Sequence, residues 1–442
     1  MKARVGFISL GCPKNRVDTE VMLGLLKREG YLVVNKMDQA DIVIVNTCGF
    51  VTPAKEEAIN TLLEVALLKD KGNVKKIIAT GCLVQRYARE LQEEIPEIDA
   101  LVGVSDFVRI AEVVARVQTG ERCCLVGELS NRFRESGPRV LSTPPGWVYL
   151  KIAEGCDNRC SYCAIPLIRG PFRSRPLSDI LEEAQKLAGL GIKELVLVAQ
   201  DTTMYGQDLE KNLSLALLLQ NLSRIEGIEW IRVMYAHPLH VTPEMVEVIG
   251  REPGVIPYLD LPIQHADDSV LKRMGRGYSR SYLVSLIEDL RRRLPGLVLR
   301  TTVMVGFPGE SESSFENLCS FVKETGFDWL GAFMYSEEEG TAAARWEDDV
   351  LEEEKQRRWR EIMRMQSAIT SELNRRRTGK VEQILVEGCT GPGVYWGRGY
   401  YQAPEVDGIT ILKSAKPLQV GQMVNARLVD SKGYDVTAEV VE

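Results

Sequence analysis

The segment "WVYLKIAEGCDNRCSYCAIP", residues 147–166, runs from an apolar strand into a loop that carries Cys156, Cys160 and Cys163. Three thiols stand within eight residues, with no fourth cysteine nearby. A structural zinc site closes with four ligands, and a disulfide framework needs an even number of thiols. A Cys-x-x-x-Cys-x-x-Cys loop can instead hold three corners of an iron–sulfur cubane and leave the fourth iron open to a substrate or cofactor. Two other readings stand beside it: a zinc knot with a remote fourth ligand, and three thiols that only pack.

Downstream, the pattern of the first strand repeats. "ELVLVAQ", "WIRVMYA", "YLDLPIQ", "LRTTVMVGF" and "WLGAFMY" read as further strands, separated by helical stretches such as "LSDILEEAQKLAGLG" and "SYLVSLIEDLRRRL". Six strand–helix units make a partial (β/α)6 barrel, short of the eight that close a TIM barrel. The cysteine loop then lies at the C-terminal face, where barrel chemistry is found. The helix "EEEKQRRWREIMRMQSAITSELNRRR" trails this core, which is assigned to residues 147–378. Residues 379–442 are β-branched and Gly-punctuated, the pattern of a small antiparallel β-barrel.

Upstream, "RVGFISL", "DIVIVN" and "KKIIAT" are apolar strands, each followed by helical periodicity, with Gly30 as a C-cap for the first helix. This alternation makes residues 1–126 an α/β domain with an open parallel sheet and helices on both faces. Cys12, Cys48 and Cys82 each fall at or just beyond a strand's C-terminal end, beside Gly11, Gly49 and Gly81. Such ends share one edge of a parallel sheet, so the three thiols can converge at its ligand crevice. Simple core packing is the competing reading. Three ligands again imply a second cluster with an open iron. Cys123, Cys124, Cys319 and Cys389 have no comparable placement and read as structural. Residues 127–146 read as a Pro-, Gly- and Ser-rich linker whose arginines are solvated.

A chain of 442 residues suits two or three domains. The amino terminus is too weakly apolar for a signal peptide, and no run of about eighteen apolar residues is free of charge. A cytoplasmic protein without a membrane span is expected, in which the ten cysteines stay reduced. The net charge of −7 argues against a wholly basic nucleic-acid coat and leaves room for a local patch.

With Tyr162 between the last two cysteines, the loop matches Cys-x-x-x-Cys-x-aromatic-Cys and resembles that of radical S-adenosylmethionine enzymes, whose fold is a partial barrel of six βα units. "SLGCPKNRVDTE", "NTCGFVTPAKEEA" and "GCLVQRY" resemble the amino-terminal domain of the methylthiotransferases among them, and the last segment resembles their TRAM domain. The resemblance covers essentially the whole chain. It implies two [4Fe-4S] clusters, on Cys156, Cys160 and Cys163 and on Cys12, Cys48 and Cys82. S-adenosylmethionine would chelate the first cluster's open iron and be cleaved to a deoxyadenosyl radical. The second cluster would carry the sulfur that is methylated and inserted at an unactivated C–H bond. A low-potential electron donor and a sulfur donor are implied as partners.

Polar residues at strand ends are candidates for holding S-adenosylmethionine: Gln200, Gln264, Arg300 and Thr302. A salt bridge or strand cap is the alternative for each. The turn "VGFPGE", with Gly306, resembles the family's adenine-contacting strand end, and Tyr162 is a further candidate for an adenine contact. The three histidines, His237, His240 and His265, lack metal-ligand spacing and read as satisfied polar groups.

The resemblance leaves two substrate classes, an aspartate in the twelfth small-subunit ribosomal protein and an adenosine in transfer RNA. Residues 380–442 carry six basic and eight acidic side chains, a balance that suits a basic ribosomal protein better than phosphates. "YLDLPIQHADDSVLKRMGR", "YSEEEGTAA" and "CPKN" are closer to the ribosomal-protein branch, although Asn158 stands where that branch often has histidine. An iron–sulfur binding protein without chemistry is the remaining alternative.

Overall fold

The computed structural model describes residues 2–72, 74–130, 133, 137–209 and 212–441, which form two large parallel sheets, a two-stranded ribbon and a closed barrel. The first sheet runs Leu32–Val34, Arg4–Ser9, Ile42–Thr47, Lys76–Gly81, Ala100–Val102, Cys123–Leu125, all parallel. Its strand "IVIVNT" is buried throughout. Ile42 and Ile44 pack with residues of helices Pro13–Arg28 and Ile110–Gln118, whereas Val43 and Val45 pack with residues of Thr52–Asp70 and Cys82–Glu94. A strand covered on both faces is apolar without alternation, as expected of a parallel sheet. The sheet order changes direction between Arg4–Ser9 and Ile42–Thr47, so a crevice opens at the C-terminal ends of those strands.

The second sheet places Trp147–Lys151, Glu194–Val198, Trp230–Val233, Val255–Asp260, Val298–Val305 and Trp329–Met334 side by side in chain order, all parallel. These are the six strands read from the sequence. Val148, Leu150, Leu195, Leu197 and Leu299 pack beneath the surrounding helices. The alternate residues Trp147, Tyr149, Val196, Val198, Tyr258 and Trp329 face inward. There they meet Leu385, Tyr401, Leu412 and Leu428 of the C-terminal domain, so that domain covers the inner face of the open barrel.

The C-terminal barrel closes with five strands, Val381–Gly391, Val394–Gly399, Thr410–Lys413, Asp435–Val440 and Met423–Lys432. Four pairings are antiparallel, as expected, and the pairing of Thr410–Lys413 with Asp435–Val440 is parallel. Buried charges seal its seam with the core. Arg398 reaches Glu194 at 2.6 Å and Glu387 at 2.6 Å, and Arg232 donates to the same Glu194 at 2.7 Å. Tyr258 Oη donates to Asp407 at 2.7 Å.

One expectation is overturned. Arg139, in the linker, is not solvated: its side chain is 6% exposed and bonds Glu20 and Glu183. The chain from Pro138 to Ser142 thus straps the first domain's Pro13–Arg28 helix to the core's Leu177–Gly189 helix. The other linker arginines, Arg132 and Arg134, lie outside the described residues. Among the described residues, no helix is long and apolar enough to cross a membrane.

Candidate functional site

The first cysteine set lies where the sequence placed it, in the loop beyond Trp147–Lys151. A short antiparallel ribbon, Ala153–Glu154 paired with Arg173–Ser174, closes the base of the loop. Cys156 is anchored by its amide on Gly170 O at 3.2 Å, and Cys163 N bonds Cys160 O at 3.1 Å. Arg276, 6% exposed, donates from Nη1 to Cys160 Sγ at 3.2 Å, while its other nitrogens bond Tyr278 Oη and Pro262 O. Burial pushes the Cys156 thiol up to about 11 and Cys163 higher still. Tyr162 packs edge-on to Phe307 of "VGFPGE", 6.3 Å between centroids.

Cys12, Cys48 and Cys82 follow the neighbouring strands Arg4–Ser9, Ile42–Thr47 and Lys76–Gly81. A Cβ at Gly11, where φ is +88°, would lie 2.8 Å from Cys48 Cβ, so only glycine lets these two loops meet. Asn15 gathers all three: Nδ2 bonds Leu10 O at 3.0 Å and Thr47 O at 2.9 Å, and Oδ1 faces Cys82 Sγ at 3.7 Å. Burial pushes the Cys82 thiol up to about 12, with Arg169 pulling against it. Buried thiols that ionise only against a cation are groups whose binding of a metal cluster releases protons and stabilises the fold.

Between the two sets lies a buried quartet of alternating charge. Arg169, from the turn of helix after Cys163, donates Nη1 to Asp18 at 2.8 Å and to Glu154 at 3.0 Å. Its Nη2 bonds Asn15 Oδ1, and Nε and Nη2 reach Cys82 Sγ at 3.3 and 3.2 Å. Lys151 bonds Asp18 and, at 2.8 Å, Glu154. Glu154 is fully buried; burial alone would raise its carboxyl, but Arg169 and Lys151 hold it well below the usual carboxylate range. Two cations and two anions balance, a requirement for burying such charges. The quartet joins residues from both domains, so the first loop's Arg169 donates to a thiol of the second set.

The remaining candidates divide. Gln200 donates to Glu154 and leaves its Oε1 buried without a partner. Gln264 holds φ +70°, and its amide bonds Thr302 O at 2.9 Å. Gly306, at φ +71°, has Lys355 Cγ 2.3 Å from where a Cβ would stand. Arg300 is already engaged, donating to Asp260 at 2.9 Å with Asp407 at 3.4 Å. Asp201, His237 and His240 come together, their ligand-type atoms within 4.8 Å. Hydrogen bonds already use them: His240 Nδ1 meets Asp201 at 2.8 Å, Asn158 donates to Asp201 at 2.7 Å, and His237 Nδ1 accepts from Leu239 N. Sequence reasoning missed Asn15, Asp18, Lys151, Glu154, Arg169 and Arg276.

Glu310, at the end of "VGFPGE", is pushed up to about 7 by burial, with Arg358 at 3.0 Å offsetting part of it. A carboxyl whose folded pKa exceeds its unfolded value binds an extra proton when folded. Its contribution is therefore present below about pH 4.5 and lost as pH rises through 7. The melting temperature of the parent should fall between pH 5 and 7.5 by the equivalent of roughly 3 kcal/mol at most, and Glu310→Gln should flatten that slope. Parallel profiles for the two proteins would refute this.

Family models match in chain order. "Uncharacterized protein family UPF0004" covers residues 4–103, the "Radical SAM superfamily" residues 150–322 and the "TRAM domain" residues 378–441. A ribosomal protein uS12 methylthiotransferase of Syntrophomonas wolfei is 50% identical over 98% of this chain and 99% of its own length. One from Acetivibrio thermocellus is 46% identical over 100% and 99%. Among solved structures, the radical S-adenosylmethionine methyltransferase TsrM from Kitasatospora setae superposes with a TM-score of 0.56 at 14% identity, covering 76% of this chain and 75% of that one, a likeness of fold. With full-length identity near one half and all three domains in order, the chain belongs to the ribosomal protein uS12 methylthiotransferase family of the radical S-adenosylmethionine superfamily.

Proposed function

We propose that this protein places a methylthio group on the β-carbon of an aspartate in ribosomal protein uS12. The observation that carries this reading is Arg169, on the helical turn after Cys163, which donates to Cys82 Sγ of the other three-cysteine set and pairs with Asp18 and Glu154. Cys156, Cys160 and Cys163 would hold a [4Fe-4S] cluster whose open iron takes S-adenosylmethionine, and Cys12, Cys48 and Cys82 a second [4Fe-4S] cluster. When bound, these groups supply a carbon-centred radical and a site for the sulfur being transferred.

The chain's own residues orient and insulate. Arg276 and Arg169 each donate to one ligand sulfur, which steadies the thiolate form. Gln200 offers its free Oε1, and Gln264, Thr302, Gly306 and Tyr162 would line the cofactor's place. Arg300 would reach a cofactor carboxylate only by giving up Asp260. A low-potential electron donor and a sulfur donor complete the reaction, in the cytoplasm. The work divides among residues 1–126, 147–378 and 379–442, joined by the linker 127–146.

The test is anaerobic turnover of the reconstituted protein with reductant, sulfide and S-adenosylmethionine. A uS12 peptide with the target aspartate and unmodified transfer RNA are offered separately and read by mass spectrometry. A methylthio gain on the peptide alone is expected. A gain on the RNA alone would overturn the substrate, and no gain with no deoxyadenosine would overturn the chemistry.

A further inference from the structure

Lys14 lies on the first turn of the helix that follows Cys12, and it is 8% exposed. Its Nζ stands 3.6 Å above the ring of Tyr235, a residue held at φ +58° just past the end of Trp230–Val233. The lysine therefore spans the gap between the second cysteine set and the C-terminal face of the core. Among the described residues Nζ has no ion pair and no hydrogen-bond acceptor, and its one close partner is the Tyr235 ring. The groups near enough to act on it are Tyr235, Cys12 and Glu154, which favour the ammonium, and Arg169, which opposes it. Glu154 is taken by Lys151, Arg169 and Gln200.

A buried ammonium with no hydrogen-bond acceptor is costly, and the face of a tyrosine ring meets only part of that cost. Three N–H donors are left for a ligand. The proposed substrate brings one. In an aspartate side chain the β-carbon is bonded directly to the carboxylate carbon, so a grip on the carboxylate fixes the reacting C–H bonds to within one bond length. An ammonium between the sulfur-bearing site and the radical's face stands where such a grip serves the reaction.

We propose that Lys14 is the group that binds the substrate's aspartate carboxylate and sets the enzyme's preference for it. This rests on the reading of the substrate given above. The test uses the reconstituted protein and two uS12 peptides, one with the target aspartate and one with asparagine there. Binding is followed by fluorescence anisotropy and turnover by mass spectrometry, with iron content measured for every variant. The parent is expected to bind the aspartate peptide about ten- to a hundredfold more tightly, the range of a hydrogen bond to a charged group. Lys14→Met and Lys14→Gln should bind both peptides alike, whereas Lys14→Arg should keep most of the preference.

An undiminished preference in an iron-loaded Met or Gln variant would overturn the assignment, as would a parent that does not distinguish the peptides. If Lys14→Met fails to take up iron, Lys14→Gln decides. Failure of the underlying reading looks different: the parent would then leave the aspartate peptide unmodified.

Discussion

Alanine at Cys156, Cys160 and Cys163 together should halve the iron held by the reconstituted protein and abolish deoxyadenosine release. Alanine at Cys12, Cys48 and Cys82 should also halve the iron, yet leave deoxyadenosine release in place and abolish the methylthio product. The asymmetry follows from position. The first set lies on the core's own loop beside Tyr162, Phe307 and Gln200, the side of the molecule suited to the cofactor. The second is gathered by Asn15 at the crevice of the other sheet. Iron and sulfide assays with chromatography of the nucleoside products separate the cases. Retention of full iron in either triple variant would show that the remaining thiols suffice, and the two-set reading would fall.

Arg398→Met should be the most destabilising change away from the cysteines. The guanidinium is 1% exposed, bonds Glu194 and Glu387, and donates to Gln402 O at 2.8 Å. Its loss strands Glu387 and leaves Glu194 only Arg232. Breaking a buried pair by removing one partner costs about 3–5 kcal/mol. Denaturant titration should show a loss of that size, while Lys413→Met, on an exposed position of the same barrel, should change stability by less than about 0.5 kcal/mol. Equal stability for the two variants would show that the seam tolerates the charge.

The large divisions of this fold were legible because each strand of the core is long enough to show its pattern. Leu32–Val34, Ala100–Val102 and Cys123–Leu125 were not legible: at three residues a strand has no measurable period. Cys156, Cys160 and Cys163 could be placed because they share one loop, and Cys12, Cys48 and Cys82 because each follows a strand of one parallel sheet. The quartet between them could not. Asp18 and Arg169 are 151 residues apart, and nothing in either neighbourhood names the other. "EGC", with an acid two residues before Cys156, was the one local hint. Arg139 misled for the same reason, since its partners Glu20 and Glu183 lie in other segments. The acidic count of the last domain agreed with the family found, yet it is a blunt measure. Arg398, Glu387 and Asp407 all turn inward, so whole-domain charge overstates what a substrate meets.

The way the small barrel lies against the core bears on what can reach the chemistry. A six-stranded sheet that does not close has an open inner face that water could otherwise enter. Trp147, Tyr149, Tyr258 and Trp329 on one side and Leu385, Tyr401 and Leu428 on the other leave that face corked. The last sixty or so residues thus act as a stopper, replacing water with side chains on the inner face of the sheet.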